Sequence, residues 1–218
     1  MTEENKNFTN SKSDTTFIVQ MVAIVVLAGL LMYGFGKSSG GAVTEISPVS
    51  ASEIIPTGVP KVYGKEMGVS YDSIGVSNPG LADQTISALG EFDISITLTG
   101  KNLERYIKIV SEISCEYCCG AKSIIFSNGQ PACGCAHSYA MRGLAKYLIK
   151  EHSDEFTDDE ILEELGKWKV LFFPGIHEQK AAVLKSQGIE LNYINLASNK
   201  YRGIEQGQTS GGGMVGGC

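Results

Sequence analysis

The stretch "CEYCCGAKSIIFSNGQPACGCAH", residues 115–137, holds five of the chain's six cysteines and one of its three histidines. Asn128-Gly129 lies between two short apolar runs, KSIIF and QPAC, and both residues tolerate positive φ. The spacing therefore predicts a β-hairpin that pairs Phe126 with Pro131 and Ile124 with Cys133. Such a hairpin brings Cys118 and Cys119 toward the strand that carries Cys133 and Cys135. Cys133 and Cys135 are two apart, so in an extended strand their sulfurs share a face. Cys115-x-x-Cys118 has the spacing of a metal-binding knuckle.

Flanking this stretch are helical patterns. KNLERYIKIVSEI places Leu103, Tyr106, Ile107, Val110 and Ile113 on one face and leads into Cys115. After Cys135, a helix from about His137 to Lys150 turns Ala140, Met141, Leu144, Ala145 and Leu148 inward. Thr157-Asp158-Asp159-Glu160 is a capping box that opens a third helix running to Pro174, and a fourth covers about His177 to Ser186 before Gly188. Upstream, Asn78-Pro79 introduces a short helix. EFDISITLTG then alternates Phe92, Ile94, Ile96 and Leu98 against polar residues and predicts a half-buried strand.

The N-terminal third reads differently. Residues 17–36, FIVQMVAIVVLAGLLMYGFG, carry no charge, and only Gln20 is strongly polar. As one helix they would extend about 30 Å, the thickness of a bilayer core. A buried soluble helix would show a single apolar stripe. A cleaved signal peptide would have a basic leader, whereas MTEENKNFTNSKSDTT carries three acids against two lysines, and no good small-x-small cleavage site lies close behind the apolar run. The expectation is an uncleaved signal anchor. Lys6 and Lys12 before the span against Lys37 behind it favour a cytoplasmic leader over 1–16 and an extracytoplasmic C-terminal domain. Residues 37–65, rich in Gly, Ser and Pro, read as a flexible spacer. The Cys-cluster helical domain is expected over 66–205, with a glycine-rich tail at 206–218 ending in Cys218.

The expected fold class is thus α+β and mainly helical: a transmembrane helix, a spacer, and a small helical domain with one β-hairpin at the cysteines. Eighteen basic residues scattered among 24 acidic ones, with a net charge of −6, exclude a nucleic-acid partner, which needs clustered Lys and Arg. The membrane is the one expected partner.

Four sulfurs from two close pairs can surround one tetrahedral ion at about 2.3 Å per Zn–S bond. Cys115, Cys118, Cys133 and Cys135 are the first ligand set, in the manner of a zinc ribbon with its second pair tightened to C-x-C. Cys119 and His137 are surplus candidates, which leaves open a Cys3His site, a second metal, or a thiolate cluster holding Cu(I) or another soft metal. Disulfides in an exported scaffold are one alternative. A thiol–disulfide oxidoreductase is another, with Cys133 or Cys135 attacking and His137 assisting. The leading reading is a non-enzymatic metal-binding protein: Zn(II) as a structural staple, or Cu(I) or another soft metal in a binding or transfer role.

Cys118-Cys119-Gly120, Cys133-Gly134-Cys135 and the downstream DDEILEEL helix carry a resemblance. Residues 115–174, about a quarter of the chain, resemble the cysteine-rich envelope lipoproteins named for a Pro-Cys-Tyr-Cys-Gly-Cys motif. That resemblance implies metal binding. Here the compact motif is split, and the hydrophobic segment has no lipobox cysteine, so lipidation is not implied. The plan of anchor, spacer and cysteine domain is also similar to uncharacterised membrane-anchored prokaryotic proteins.

Overall fold

The computed structural model describes residues 18–27, 30, 48–75, 77–206 and 215. The chain divides into two units, Met1–Glu45 and Ile46–Cys218. In the first, residues 18–27 form a helix, α1, with its large apolar side chains exposed. Among the described residues no helix is long and apolar enough to cross a membrane. This corrects the expected transmembrane helix over 17–36, and with it the signal anchor, the membrane partner and the single-pass localisation. Residues 17, 28, 29 and 31–36 of that stretch, and the leader 1–16, lie outside the described residues.

The second unit is built from helices: α2 (Ala51–Ile54), α3 (Gly64–Met67), α4 (Pro79–Ser95), α5 (Gly100–Val110), α6 (Ala136–Glu151), α7 (Asp158–Phe172), α8 (Pro174–Ser186) and α9 (Tyr193–Ala197). The α4 and α6 backbones come so close that a Cβ on Gly143 would lie 1.9 Å from the Leu89 carbonyl oxygen. Only glycine permits that approach. Around this crossing Leu89, Val110, Ile113, Met141, Leu144, Leu148, Leu165, Trp168 and Phe172 are all fully buried. A smaller apolar cluster joins Val49 and Ile54 to Val170, Ala181, Leu184 and Leu196. Residues within the expected spacer thus take part in packing, and Tyr63 is 1% exposed.

No β-strand is present among the described residues, which corrects the α+β class and its hairpin. The Asn128-Gly129 turn forms: Gly129 has φ +82°, its N–H donates to the Phe126 carbonyl at 2.9 Å, and Phe126 N–H donates to the Gln130 carbonyl at 2.8 Å. Pairing is confined to one isolated bridge, Ile125 with Pro131, closed on its far side by Ala132 N–H donating to the Ile124 carbonyl at 3.0 Å; beyond it the Cys133 carbonyl accepts from Arg142 instead of from a partner strand. The strand expected over 92–99 is also corrected. Helix α4 continues through Ser95, with Ile94 78% exposed and Asp93 buried. The alternation misled because Asp93 faces inward to an ion pair: its carboxylate takes Arg142 Nε at 2.7 Å and Lys146 Nζ at 2.8 Å.

Helix α7 starts where its motif requires. Thr157 Oγ1 accepts from Glu160 N–H at 3.3 Å, and the Glu160 carboxylate accepts from Thr157 N–H at 2.7 Å.

Candidate metal centre

After α5 the chain turns through Glu112 and enters the core, where Cys115 is fully buried. Cys133 and Cys135 come from the other side, on the short segment between the Asn128-Gly129 turn and α6. Arg142 fixes that segment. Its guanidinium, fully buried and paired with Asp93, donates to the carbonyls of Cys133 at 2.8 Å and Ile124 at 3.2 Å. Cys135 is the residue that caps the N-terminus of α6, where exposed backbone N–H groups and the helix dipole favour negative charge.

The sulfurs of Cys115 and Cys135 are 3.2 Å apart, and those of Cys133 and Cys135 are 3.6 Å apart. All three lie within 4.8 Å of one another and are buried. A buried group of three cysteines that can hold a metal ion is therefore present; no other such group of His, Cys, Asp or Glu occurs among the described residues. Sulfurs around a tetrahedral zinc at about 2.3 Å stand about 3.8 Å apart, so the cage needs to open by roughly half an ångström at one edge.

The proton is shared unequally. The hydrogen bond from Cys115, with help from His137 and Ser138, holds Cys135 well below the ordinary thiol range against the opposing effect of burial. Cys115 is raised in turn by that same bond and by burial. Burial raises Cys133 as well, with a contribution from the Cys119 side chain. Cys119 is exposed and so approaches from the solvent side.

The other expected ligands are placed differently. Cys118 is disulfide-bonded, which removes its sulfur from the thiol group. His137 is fully buried and lies against Phe172 and Phe173. Its Nε2–H donates to the Val215 carbonyl at 2.7 Å, and Val215 N–H in turn donates to the Phe172 carbonyl at 2.8 Å. His137 is outside the group of three ligating residues. Val215 itself is 3% exposed, so one residue of the glycine-rich tail is seated in the core; residues 207–214 and 216–218 lie outside the described residues.

Sequence reasoning passed over the residues that support the thiols. Ser138 Oγ lies 3.2 Å from Cys135 Sγ, a contact available from the spacing of a cap residue and the third helical position. Arg142, amid Ala140, Met141, Leu144 and Ala145, interrupts an apolar face, and a buried partner was the physical meaning of that break. Glu116, next to Cys115, is held by Lys169 at 3.0 Å and by Gly203 N–H at 2.9 Å. Lys169 is fully buried, and burial pushes its ammonium down to about 8 despite Glu116. Arg202 donates to the carbonyls of Gly120 and Ala121 at 2.9 and 2.7 Å, so the segment after α9 clamps the loop that carries Cys118 and Cys119. The partners of Glu116 and of this loop lie more than fifty residues away in sequence and leave no local pattern.

No family model, curated protein or solved structure matches this chain.

Proposed function

We propose that the chain is a soft-metal-binding protein that takes one ion between Cys115, Cys133 and Cys135, with Cys119 closing the shell from the surface. The observation that carries this reading is the convergence of three buried sulfurs within 4.8 Å. Thiolates select soft or borderline ions: Zn(II) with four sulfurs, or Cu(I) with three. Zn(II) is the ion the reading favours, because Cys119 stands beside Cys133 as a fourth donor. One exposed ligand makes the site exchangeable. Cys115, Cys133 and Cys135 belong to the same apolar core as Trp168 and Leu144, and the hydrophobic packing of that core supports a fold that keeps its shape when the metal leaves.

A second reading rests on the Cys115–Cys135 pair alone. Its 3.2 Å separation lies between the spacing in a metal cage and the about 2.05 Å of a disulfide. With Cys135 at a helix N-terminus, the pair suits reversible exchange with an external disulfide.

The test is anaerobic titration of the metal-free full chain with Zn(II) and with Cu(I) against competing chelators, with thiols counted by alkylation and mass spectrometry. One ion per chain, protection of Cys115, Cys119, Cys133 and Cys135, and unchanged far-ultraviolet circular dichroism on removal are the expected results. No stoichiometric metal, together with a recovered Cys115–Cys135 disulfide, would overturn metal binding in favour of the second reading.

A further inference from the structure

Away from the cysteines, a cavity of about 440 Å³ opens between the chain before α3 and the first half of α7. Its lining combines two chemistries. Tyr63, Tyr71, Phe156 and Tyr193 supply aromatic rings, backed by Pro56 and Pro60; Glu155, Glu160, Glu163 and Glu164 supply four carboxylates against the two ammonium groups of Lys61 and Lys167. The floor is rigid. Glu164, 9% exposed, accepts Tyr63 OH at 2.8 Å and Tyr71 OH at 2.5 Å on one oxygen, and Trp168 Nε1–H donates to Tyr63 OH at 2.7 Å. Burial and the Glu164 charge keep both phenols protonated, so they remain donors. A concave site with a few convergent polar groups on an apolar wall is the usual form of a small-molecule site.

The chain already demonstrates what this wall accepts. Lys167 Nζ lies 5.6 Å from the Tyr193 ring centroid, 2.7 Å from Glu164 and 3.5 Å from Glu163. An ammonium group is thus held between an aromatic face and two carboxylates at the cavity edge. An inorganic ion fits less well. The only cluster of three or more ligating side chains among the described residues is the thiol group, and the rings and prolines call for carbon.

We propose that this cavity binds a small organic cation, an ammonium carried on an apolar group, with its charge at Glu163 and Glu164 and its carbon against Tyr193 and Phe156. Lys167 competes for the same carboxylates. The site is independent of the thiols.

Trp168 is the single tryptophan of the chain and sits directly beneath the floor, so its fluorescence reports on occupancy. The full chain is titrated at constant ionic strength with choline and with its uncharged isostere 3,3-dimethyl-1-butanol. A saturable response to choline and none to the alcohol is expected. Glu163→Gln, at a partly exposed position, weakens binding about tenfold, and Tyr193→Leu does the same. Lys167→Met tightens binding several-fold by removing the internal competitor. An equal response to the alcohol, no saturable response to choline, or weaker binding in a folded Lys167→Met chain would each overturn the proposal.

Discussion

Cys115 and Cys135, twenty positions apart, bring their sulfurs to 3.2 Å in the core, with the proton on Cys115 and the negative charge on Cys135. The asymmetry has a physical cause. Cys135 caps a helix N-terminus and is held by Cys115 and Ser138 beside His137, while the neighbouring anion and burial outweigh what Ser138 offers Cys115.

In the metal-free chain that asymmetry is readable by alkylation. Cys135 remains a thiolate well below the ordinary thiol range, so its labelling rate should stay nearly flat from roughly pH 8 to about pH 5. Cys133, pushed up by burial, should slow about tenfold for each unit of pH lost. Site-resolved mass spectrometry of timed iodoacetamide reactions checks both. Equal slopes for the two cysteines would refute the assignment.

Serine replacements should sort the ligands. Cys115→Ser or Cys135→Ser removes a buried sulfur and should abolish stoichiometric Zn(II) uptake, whereas Cys119→Ser should retain it with affinity weakened by about tenfold, ~1.4 kcal/mol. Chelator competition on the three variants gives the answer.

Arg142→Met should destabilise the fold by about 3–5 kcal/mol, because it leaves the buried Asp93 carboxylate with Lys146 alone. It also frees the Cys133 carbonyl, so metal affinity should fall together with stability. Urea denaturation and zinc titration of the same preparation test the coupling.

Lys169→Met should cost about 3 kcal/mol near neutral pH, since Glu116 then keeps its burial without its ion-pair partner and with the Lys180 charge alone. Its pH signature has a definite sign. The folded-state value, about 8, lies below the ordinary 10.5. Between those values the unfolded chain binds a proton that the folded chain does not. The Lys169 contribution to stability therefore rises with pH across this window, and its penalty is complete below about 8. The difference between the wild-type chain and the variant, measured by denaturation at several pH values, should follow that slope.

Gly143→Ala should cost about 1–3 kcal/mol or more, because α4 and α6 must separate to clear the 1.9 Å approach to the Leu89 carbonyl. A lowered melting temperature with retained helical circular dichroism is the expected outcome.

Local chemistry was legible in the sequence where the deciding forces are local. The capping box at Thr157, the positive φ at Gly129 and the apolar faces of α6 and α7 are satisfied by residues within a few positions of each other. The concentration of thiols between two helices was equally plain. The Phe92–Thr99 alternation misled because period-2 polarity assumes that charge faces water, and Asp93 faces Arg142 instead. The hairpin stopped after the Ile125–Pro131 bridge because the next carbonyl, that of Cys133, is taken by the distant Arg142. The apolar run after residue 16 showed composition alone, and among the described residues no helix is long and apolar enough to cross a membrane.

By itself, then, the sequence determined the helical segments, their caps, and the crowding of thiols and turn residues between positions 115 and 137. Tertiary structure alone decided which sulfurs meet. Cys115, Cys133 and Cys135 are gathered because Arg142 reaches across to the Cys133 carbonyl and the α4–α6 crossing closes on Gly143, while Cys118 is drawn into a disulfide. Those contacts join elements that are separate in the chain, and their strength comes from burial, which no local spacing encodes.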